Sequence, residues 1–145
     1  MTDHDDLPLA GVRVVDLTAN MSRPLATMLL ADQGADVIKV EPPEGDALRW
    51  VGTSSGSSST YFVNLDRNKR SIVLDLASAD GRAAALRLAA GADVFVQNYR
   101  HGVAARLGLG PDKVRAVNPR IIYLAVTGYG TIGPRAGGPA YDHVI

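Results

Sequence analysis

Two rhythms of apolar and polar residues alternate along the chain. One is the short apolar run of a buried strand, seen at Val12-Arg13-Val14-Val15-Asp16-Leu17, Val37-Ile38-Lys39-Val40, Ser71-Ile72-Val73-Leu74-Asp75, Val94-Phe95-Val96-Gln97 and Ile121-Ile122-Tyr123-Leu124-Ala125-Val126. The other is the helical spacing between those runs. Ser22 stands at a cap position with Pro24 in the first turn, and Leu25, Met28, Leu29 and Asp32 recur at i, i+3, i+4 and i+7 before Gly34 ends the segment. That stripe is expected to face the sheet. Ser78 caps a second helix over residues 79–90, which holds six alanines and closes at Gly91. A short helical turn is expected over residues 103–107, and a last helix opens at Pro111 and ends at Asn118-Pro119.

Strand, helix and strand following one another this closely make a βαβ unit, and nearly continuous apolar strands are those of a sheet covered on both sides. The chain is therefore expected to be α/β, a Rossmann-like open, mostly parallel sheet with helices on both faces. Residues 42–60, with two prolines and the run Gly52-Thr53-Ser54-Ser55-Gly56-Ser57-Ser58-Ser59, break both rhythms and are expected to form a mobile loop. Residues 1–8 are expected to be a disordered tail. Ligands of such sheets bind beyond the carboxyl ends of the strands, so residues 16–23, 41–70, 98–106 and 128–142 are the segments to search.

Composition then narrows the chemistry. Fifteen basic and fifteen acidic residues cancel, leaving no global field to hold a nucleic acid or an anionic membrane, and neither partner is expected. The absence of cysteine removes disulfides, thiolate metal sites and a cysteine nucleophile. His4, His101 and His143 lack metal-site spacing, and no metal is expected. No apolar run approaches the ~20 residues of a spanning helix, and the start is acidic where a leader would be basic, so a cytoplasmic protein is expected. The turn Leu17-Thr18-Ala19-Asn20-Met21-Ser22-Arg23-Pro24 carries no glycine, which excludes a dinucleotide fingerprint and a P-loop there. Asn98, Tyr99, Arg100 and Arg106 follow the end of a strand. A guanidinium can grip a phosphate through two bonds, an asparagine can read an amide or base edge, and a tyrosine can stack on a base.

Several ordered blocks carry a resemblance. Leu9-Ala10-Gly11-Val12-Arg13-Val14-Val15-Asp16-Leu17-Thr18 is followed by Leu30-Ala31-Asp32-Gln33-Gly34-Ala35-Asp36-Val37-Ile38-Lys39-Val40-Glu41 and Asn68-Lys69-Arg70-Ser71-Ile72-Val73-Leu74-Asp75. Then come Ala92-Asp93-Val94-Phe95-Val96-Gln97-Asn98-Tyr99, Arg106-Leu107-Gly108-Leu109, Asn118-Pro119-Arg120-Ile121-Ile122-Tyr123, Gly128-Tyr129-Gly130 and Tyr141-Asp142. From Leu9 to Ile145 the chain closely resembles the opening of the class III coenzyme A transferases, the CaiB/BaiF family, which includes formyl-CoA transferase, the carnitine CoA transferases and alpha-methylacyl-CoA racemase.

The resemblance implies the amino-terminal, coenzyme A-binding part of a larger Rossmann-like domain, spanning residues 9–145. Its implied ligands are coenzyme A or acyl-CoA and a carboxylate acceptor, and its implied partner is a second copy in the full-length family's dimer, or a second chain here. Met21 and Ser22 would line the cofactor, Leu74, Asp75, Leu76 and Ala77 would pass the adenine, and Asn98, Tyr99 and Arg100 would border ribose and adenine. Arg106 would meet a phosphate, and Pro139, Ala140, Tyr141 and Asp142 would lie near the pantetheine end. Two positions depart from the pattern. Pro42 replaces an arginine of formyl-CoA transferase, so one expected basic contact is missing or comes from Arg49, Lys69 or Arg70, and Pro139 replaces a lysine.

The implied activity is acyl-CoA:carboxylate CoA-transfer, in which an aspartate attacks the thioester, gives an acyl-aspartyl anhydride and releases the thiolate. That aspartate lies in a Gly-Asp step expected beyond Ile145, so no catalytic residue is assigned within the chain; Asp142 is expected to cap a helix or to contact residues that line the site, and Asp16, at the end of a buried strand, is expected to be structural. The alternative within the family is a racemase, whose proton-shuttling histidine is matched here by Tyr141. With an ordinary pKa of about 10 against about 6.5 for histidine, tyrosine is the poorer shuttle at neutral pH. A further alternative is a non-catalytic coenzyme A-binding module acting with a second chain.

Overall fold

The computed structural model describes residues 6–20, 22–52, 54, 55, 58–138 and 140. Seven strands and five helices lie among them: β1 (Arg13–Leu17), α1 (Ser22–Asp32), β2 (Asp36–Glu41), β3 (Ser54–Ser55), β4 (Ser58–Ser59), α2 (Thr60–Leu65), β5 (Lys69–Val73), α3 (Ala79–Ala90), β6 (Val94–Gln97), α4 (Val103–Arg106), α5 (Pro111–Val117) and β7 (Ile122–Ala125). Five of the strands form one sheet in the order β5-β2-β1-β6-β7, parallel at every pairing. The chain starts at the centre, moves out through β2 to β5, then crosses back over β1 to β6 and β7. The order therefore reverses between β1 and β6, where a crevice opens beyond the strand ends.

Strand alternation sorts the core into two faces. Val14, Val37 and Val96 point to one side and pack with Ala31 and Ala35 under α1. Val15, Leu17, Val40 and Phe95 point to the other and meet Ala85 and Ala89 of α3 and Val114 of α5. Phe95 stacks on Tyr123 there with ring centroids 5.4 Å apart, and the Tyr123 hydroxyl donates to the Leu109 carbonyl at 3.0 Å. The small alanines let α3 lie close to the sheet.

Four local expectations are corrected. The buried stripe of α1 is Pro24, Thr27, Met28 and Ala31, one position away from the expected one, while Leu25 and Leu29 are 41% and 50% exposed. The rotation brings the Thr27 hydroxyl onto Asp16 at 2.6 Å. Residues 42–60 hold more structure than a loop: a 3-10 turn Ala47–Trp50 capped by Asp46, the β3–β4 hairpin, and the start of α2. The third main-sheet strand runs over Lys69–Val73 and not over residues 71–75, because Lys69 is drawn inside by acidic partners. Helix α1 begins at Ser22 itself, so the cap expected there is the helix's first residue.

The expected cap of α3 is present. Ser78 Oγ accepts from the Gly81 amide at 2.9 Å, and Gly81 lets the helix start against the preceding segment: a Cβ there would lie 1.9 Å from the Asp75 carbonyl oxygen. Alanine normally stabilises a helix interior by about 1 kcal/mol over glycine. At Gly81 the collision with backbone outweighs that gain, and Gly81→Ala is expected to lower stability by about 1–3 kcal/mol in urea unfolding. A neutral or stabilising result would show that residues 75–78 yield freely.

Candidate functional site

The carboxyl ends of the strands carry two adjoining depressions. The larger, of about 850 Å³, lies between the β1–α1 turn (Thr18, Ala19, Asn20), the segment Pro42 to Trp50 and the segment Leu74 to Ala77, with Tyr99 as a wall. The smaller, of about 210 Å³, occupies the β1/β6 reversal and is lined by Ala19, Asn20, Asn98, Tyr99, Arg100, His101 and residues of the 126–140 segment. Ala19, Asn20 and Tyr99 border both. Asn20 adopts φ +67°, a left-handed conformation that asparagine tolerates better than most residues.

The reversal is fastened by Asn98. Its side-chain oxygen accepts from the Ala19 amide at 3.1 Å and its side-chain nitrogen donates to the Ala19 carbonyl at 2.5 Å. Two bonds to the backbone of one residue fix the β1–α1 turn against β6. Tyr99 follows, its amide donating to Gln97 Oε1 at 2.7 Å. Burial pushes the Tyr99 phenol above its ordinary value, opposed in part by the charge of Lys39.

Beneath the larger cleft runs a chain of buried charges that the apolar pattern conceals. Lys39, 1% exposed, reaches Asp46 Oδ2 at 2.7 Å, Asp66 Oδ1 at 3.3 Å and the Thr18 carbonyl at 3.0 Å. Lys69 reaches the same Asp66 oxygen at 2.8 Å, Asp16 at 3.1 Å and the Pro24 carbonyl at 3.0 Å. Asp16 also accepts from the Thr18 amide at 2.8 Å and from the Thr18 hydroxyl at 2.6 Å. Burial alone pushes the Lys39 ammonium down, but Asp66, Asp16 and Asp46 outweigh it and hold it above its ordinary value.

Glu41 continues the chain outward. Arg49 donates to it in a fork, both bonds 2.7 Å, and the Asp46 amide and Ser71 hydroxyl add bonds of 2.9 and 2.5 Å. Burial pushes this carboxyl up, yet those donors bring it from 4.5 to about 2. The Arg49 guanidinium also lies 3.8 Å over the Phe62 ring, tying α2 to the 3-10 turn.

The sequence-selected residues divide accordingly. Leu74, Asp75, Leu76 and Ala77 line the larger cleft, Asn98, Arg100 and Ala140 the smaller, and Tyr99 both. Arg106, on the last turn of α4, lines neither. Met21, Pro139, Tyr141 and Asp142 lie outside the described residues, as do His4, His143 and the side chain of Ser22. The three replacements suggested for the missing arginine are already engaged: Arg49 with Glu41, Lys69 inside the charge chain, and Arg70 with Asp36 at 2.8 and 2.7 Å near the opposite end of β2. Among the described residues Arg100, which lines the smaller depression, has no carboxylate partner. Sequence reasoning missed Lys39, Glu41, Asp46 and Asp66. The available signal was Lys39 and Glu41, two charges at period two in an apolar strand, which must be paired if the strand is buried.

Comparison with known proteins agrees with the fold. The family model described as CoA-transferase family III matches residues 9–145. A protein named "Probable fatty acyl-CoA transferase" from Mycobacterium tuberculosis is 42% identical over 99% of this chain and 37% of its own length. Human succinyl-CoA:glutarate CoA-transferase is 44% identical over 94% of this chain and 32% of its own. The crystal structure of a CAIB/BAIF family protein from Brucella suis superposes with a TM-score of 0.90 at 40% identity, covering 95% of this chain and 38% of that one. The chain thus spans about a third of the length of the curated relatives it matches.

The depressed carboxyl of Glu41 gives a pH dependence. Its contribution to stability is complete above 4.5, the value in the unfolded chain, and is lost as pH falls toward about 2. The shift corresponds to about 3 kcal/mol. Glu41→Gln is expected to lower stability at neutral pH and to flatten the acid limb of the unfolding free energy between those values. An unchanged acid limb would remove Glu41 from the charge chain.

Proposed function

The chain belongs to CoA-transferase family III, and from that premise we propose that residues 9–145 form the coenzyme A-binding, amino-terminal part of an acyl-CoA:carboxylate CoA-transferase. The observation that carries this reading is the junction of two unlike depressions at the strand ends. One is broad and mainly apolar, and the other is small and bordered by the guanidinium of Arg100. Coenzyme A is likewise a joined ligand, with a flat base, an anionic diphosphate and an amide-bearing arm. The base would lie along Leu74 to Ala77 and against Tyr99, and Asn98 to Arg100 would border ribose and phosphate. Met21, Ser22 and the Pro139 to Asp142 segment are proposed to complete the lining. A role for Arg106 at a phosphate requires the ligand to continue past the smaller crevice onto α4.

The chemistry is the family's. A carboxylate attacks the thioester carbonyl, the C–S bond breaks, and the thiolate leaves an acyl-aspartyl mixed anhydride; the acceptor carboxylate displaces the donor as its free carboxylate, and the thiolate then attacks the acceptor carbonyl, giving the new thioester and returning the aspartate. The attacking aspartate is proposed to lie beyond residue 145, and a second copy or second chain would complete the assembly. The names of the relatives, which are acyl-CoA and dicarboxylate CoA-transferases, support transfer over racemisation.

Calorimetric titration of coenzyme A into the 145-residue chain tests the binding role. Saturable binding is expected, and Arg100→Ala is expected to weaken it by about 1.5–3 kcal/mol, the worth of a charge-assisted contact. An unchanged affinity would remove the phosphate from Arg100, and loss with Arg106→Ala instead would move it to α4. Absence of saturable binding at millimolar coenzyme A would overturn the reading for this chain.

A further inference from the structure

The bonds of Lys39 lead to three separate segments. Its ammonium donates to the Thr18 carbonyl in the β1–α1 turn, to Asp46 at the head of the 3-10 turn, and to Asp66 just after α2. Thr18 and Asp46 both line the larger cleft. They belong to different lips, one continuing β1 and the other reached through the Pro42 to Gly45 turn beyond β2. One cation therefore spans the floor between two walls, with a 3.0 Å bond on one side and a 2.7 Å bond on the other.

The apolar cores hold the lips only in part: the first lip follows directly on Leu17, and the second has one buried apolar residue, Leu48. The residues of both cores lie in the strands and in α1, α3 and α5 or in the turns next to them, and no residue from 42 to 50 belongs to either cluster. With an apolar side chain at position 39, Asp66 would keep Lys69 but the buried carboxylate of Asp46 would lose its cation, and that uncompensated charge would favour an outward shift of the 46–50 lip toward water.

We propose that Lys39 is a positioning residue that sets the gape of the larger cleft by tying the Thr18 turn to Asp46. The geometry stands by itself, and the consequence for ligand affinity rests on the coenzyme A reading above. Lys39 touches no ligand in this account. It acts through the lips, and an altered gape weakens every contact that requires both of them at once.

The chain has no cysteine of its own, so two introduced ones report the gape directly. Ala19 and Ala47 line the cleft from the two lips, and Ala19→Cys with Ala47→Cys, both spin-labelled, give a distance distribution by pulsed electron resonance. Lys39→Met in that background is expected to lengthen and broaden the distribution. In the unlabelled chain it is expected to weaken coenzyme A binding tenfold or more. Leu30→Ala, which thins the other core and lines neither depression, should lower the unfolding midpoint and leave both readouts unchanged, separating positioning from stability. Asp46→Asn keeps an oxygen for the Leu48 amide and cuts the same link from the other end. It is expected to lengthen the distribution too, and it decides the matter if Lys39→Met does not fold. A distribution that is the same with and without the link overturns the proposal. A longer distribution with unchanged coenzyme A affinity upholds it and counts against the coenzyme A reading instead.

Discussion

The carboxyl edge of the sheet depends on ions sharing one buried oxygen. Asp66 Oδ1 receives both Lys39 and Lys69, and those lysines pass the connection to Asp46 and Asp16. Isolated, any of these charges would be expelled from an interior that excludes water. Together they are matched closely enough that Asp66 Oδ2 is the one buried side-chain atom without a partner among the described residues. Such a chain contributes little net stability compared with apolar packing, but breaking it at one point strands the remaining charges. Its effect is therefore on geometry. It permits one arrangement of β1, β2, β5, α1 and the segment after α2, and penalises the neighbouring arrangements.

That arrangement builds the site. In an open parallel sheet the strand ends are where turns diverge and water enters, and without a device to hold them the turns would be the least ordered part of the fold. Here the Asn98 clamp holds the Thr18 to Asn20 turn against β6, the Asp16 carboxylate holds its amide and hydroxyl, and Lys39 holds its carbonyl. The opposite lip is held by Lys39 through Asp46 and by Glu41 through Arg49 and the Asp46 amide. Both depressions are thus held by bonds internal to the chain, and sites held in this way lose less affinity to ordering on binding. The cations nearest the larger cleft are used internally, whereas Arg100 at the neighbouring crevice has no carboxylate partner among the described residues. Zero net charge over the chain agrees with a ligand gripped at a few points and not by a general field.

The fold was legible because burial writes itself in period. Each main strand lies within two residues of its apolar run, and Ser78, Gly91 and Pro111 bound their helices as their chemistry dictates. The errors have physical reasons. Leu25 and Leu29 suggested the inner stripe of α1, but Thr27 has a polar partner in Asp16 and Ala31 permits close approach, so the helix turns by one position. Lys69 and Arg70 looked like loop cations available to a ligand, yet one is a buried counter-ion and the other closes an ion pair with Asp36. The charge chain was beyond reach because pairings such as 39 with 66 or 16 with 69 follow from topology, which a linear pattern does not display. Residues 98–100 and 74–77 gather at one end of the sheet because they follow strand ends, whereas Arg106 carried no sign of its distance from the clefts.

Hydrogen exchange measured residue by residue in the native chain and in Asp66→Asn tests most directly whether the charge chain, and not the apolar core, holds the cleft. The amides of Thr18 and Asp46 donate to carboxylates at separate points of the network, Asp16 and Glu41. If the network acts as a unit, removing the charge of Asp66 accelerates exchange at both together, while the amides of Val15 and Phe95 in the central strands keep their protection. Acceleration at neither lip amide, or equal acceleration in the central strands, would contradict the account.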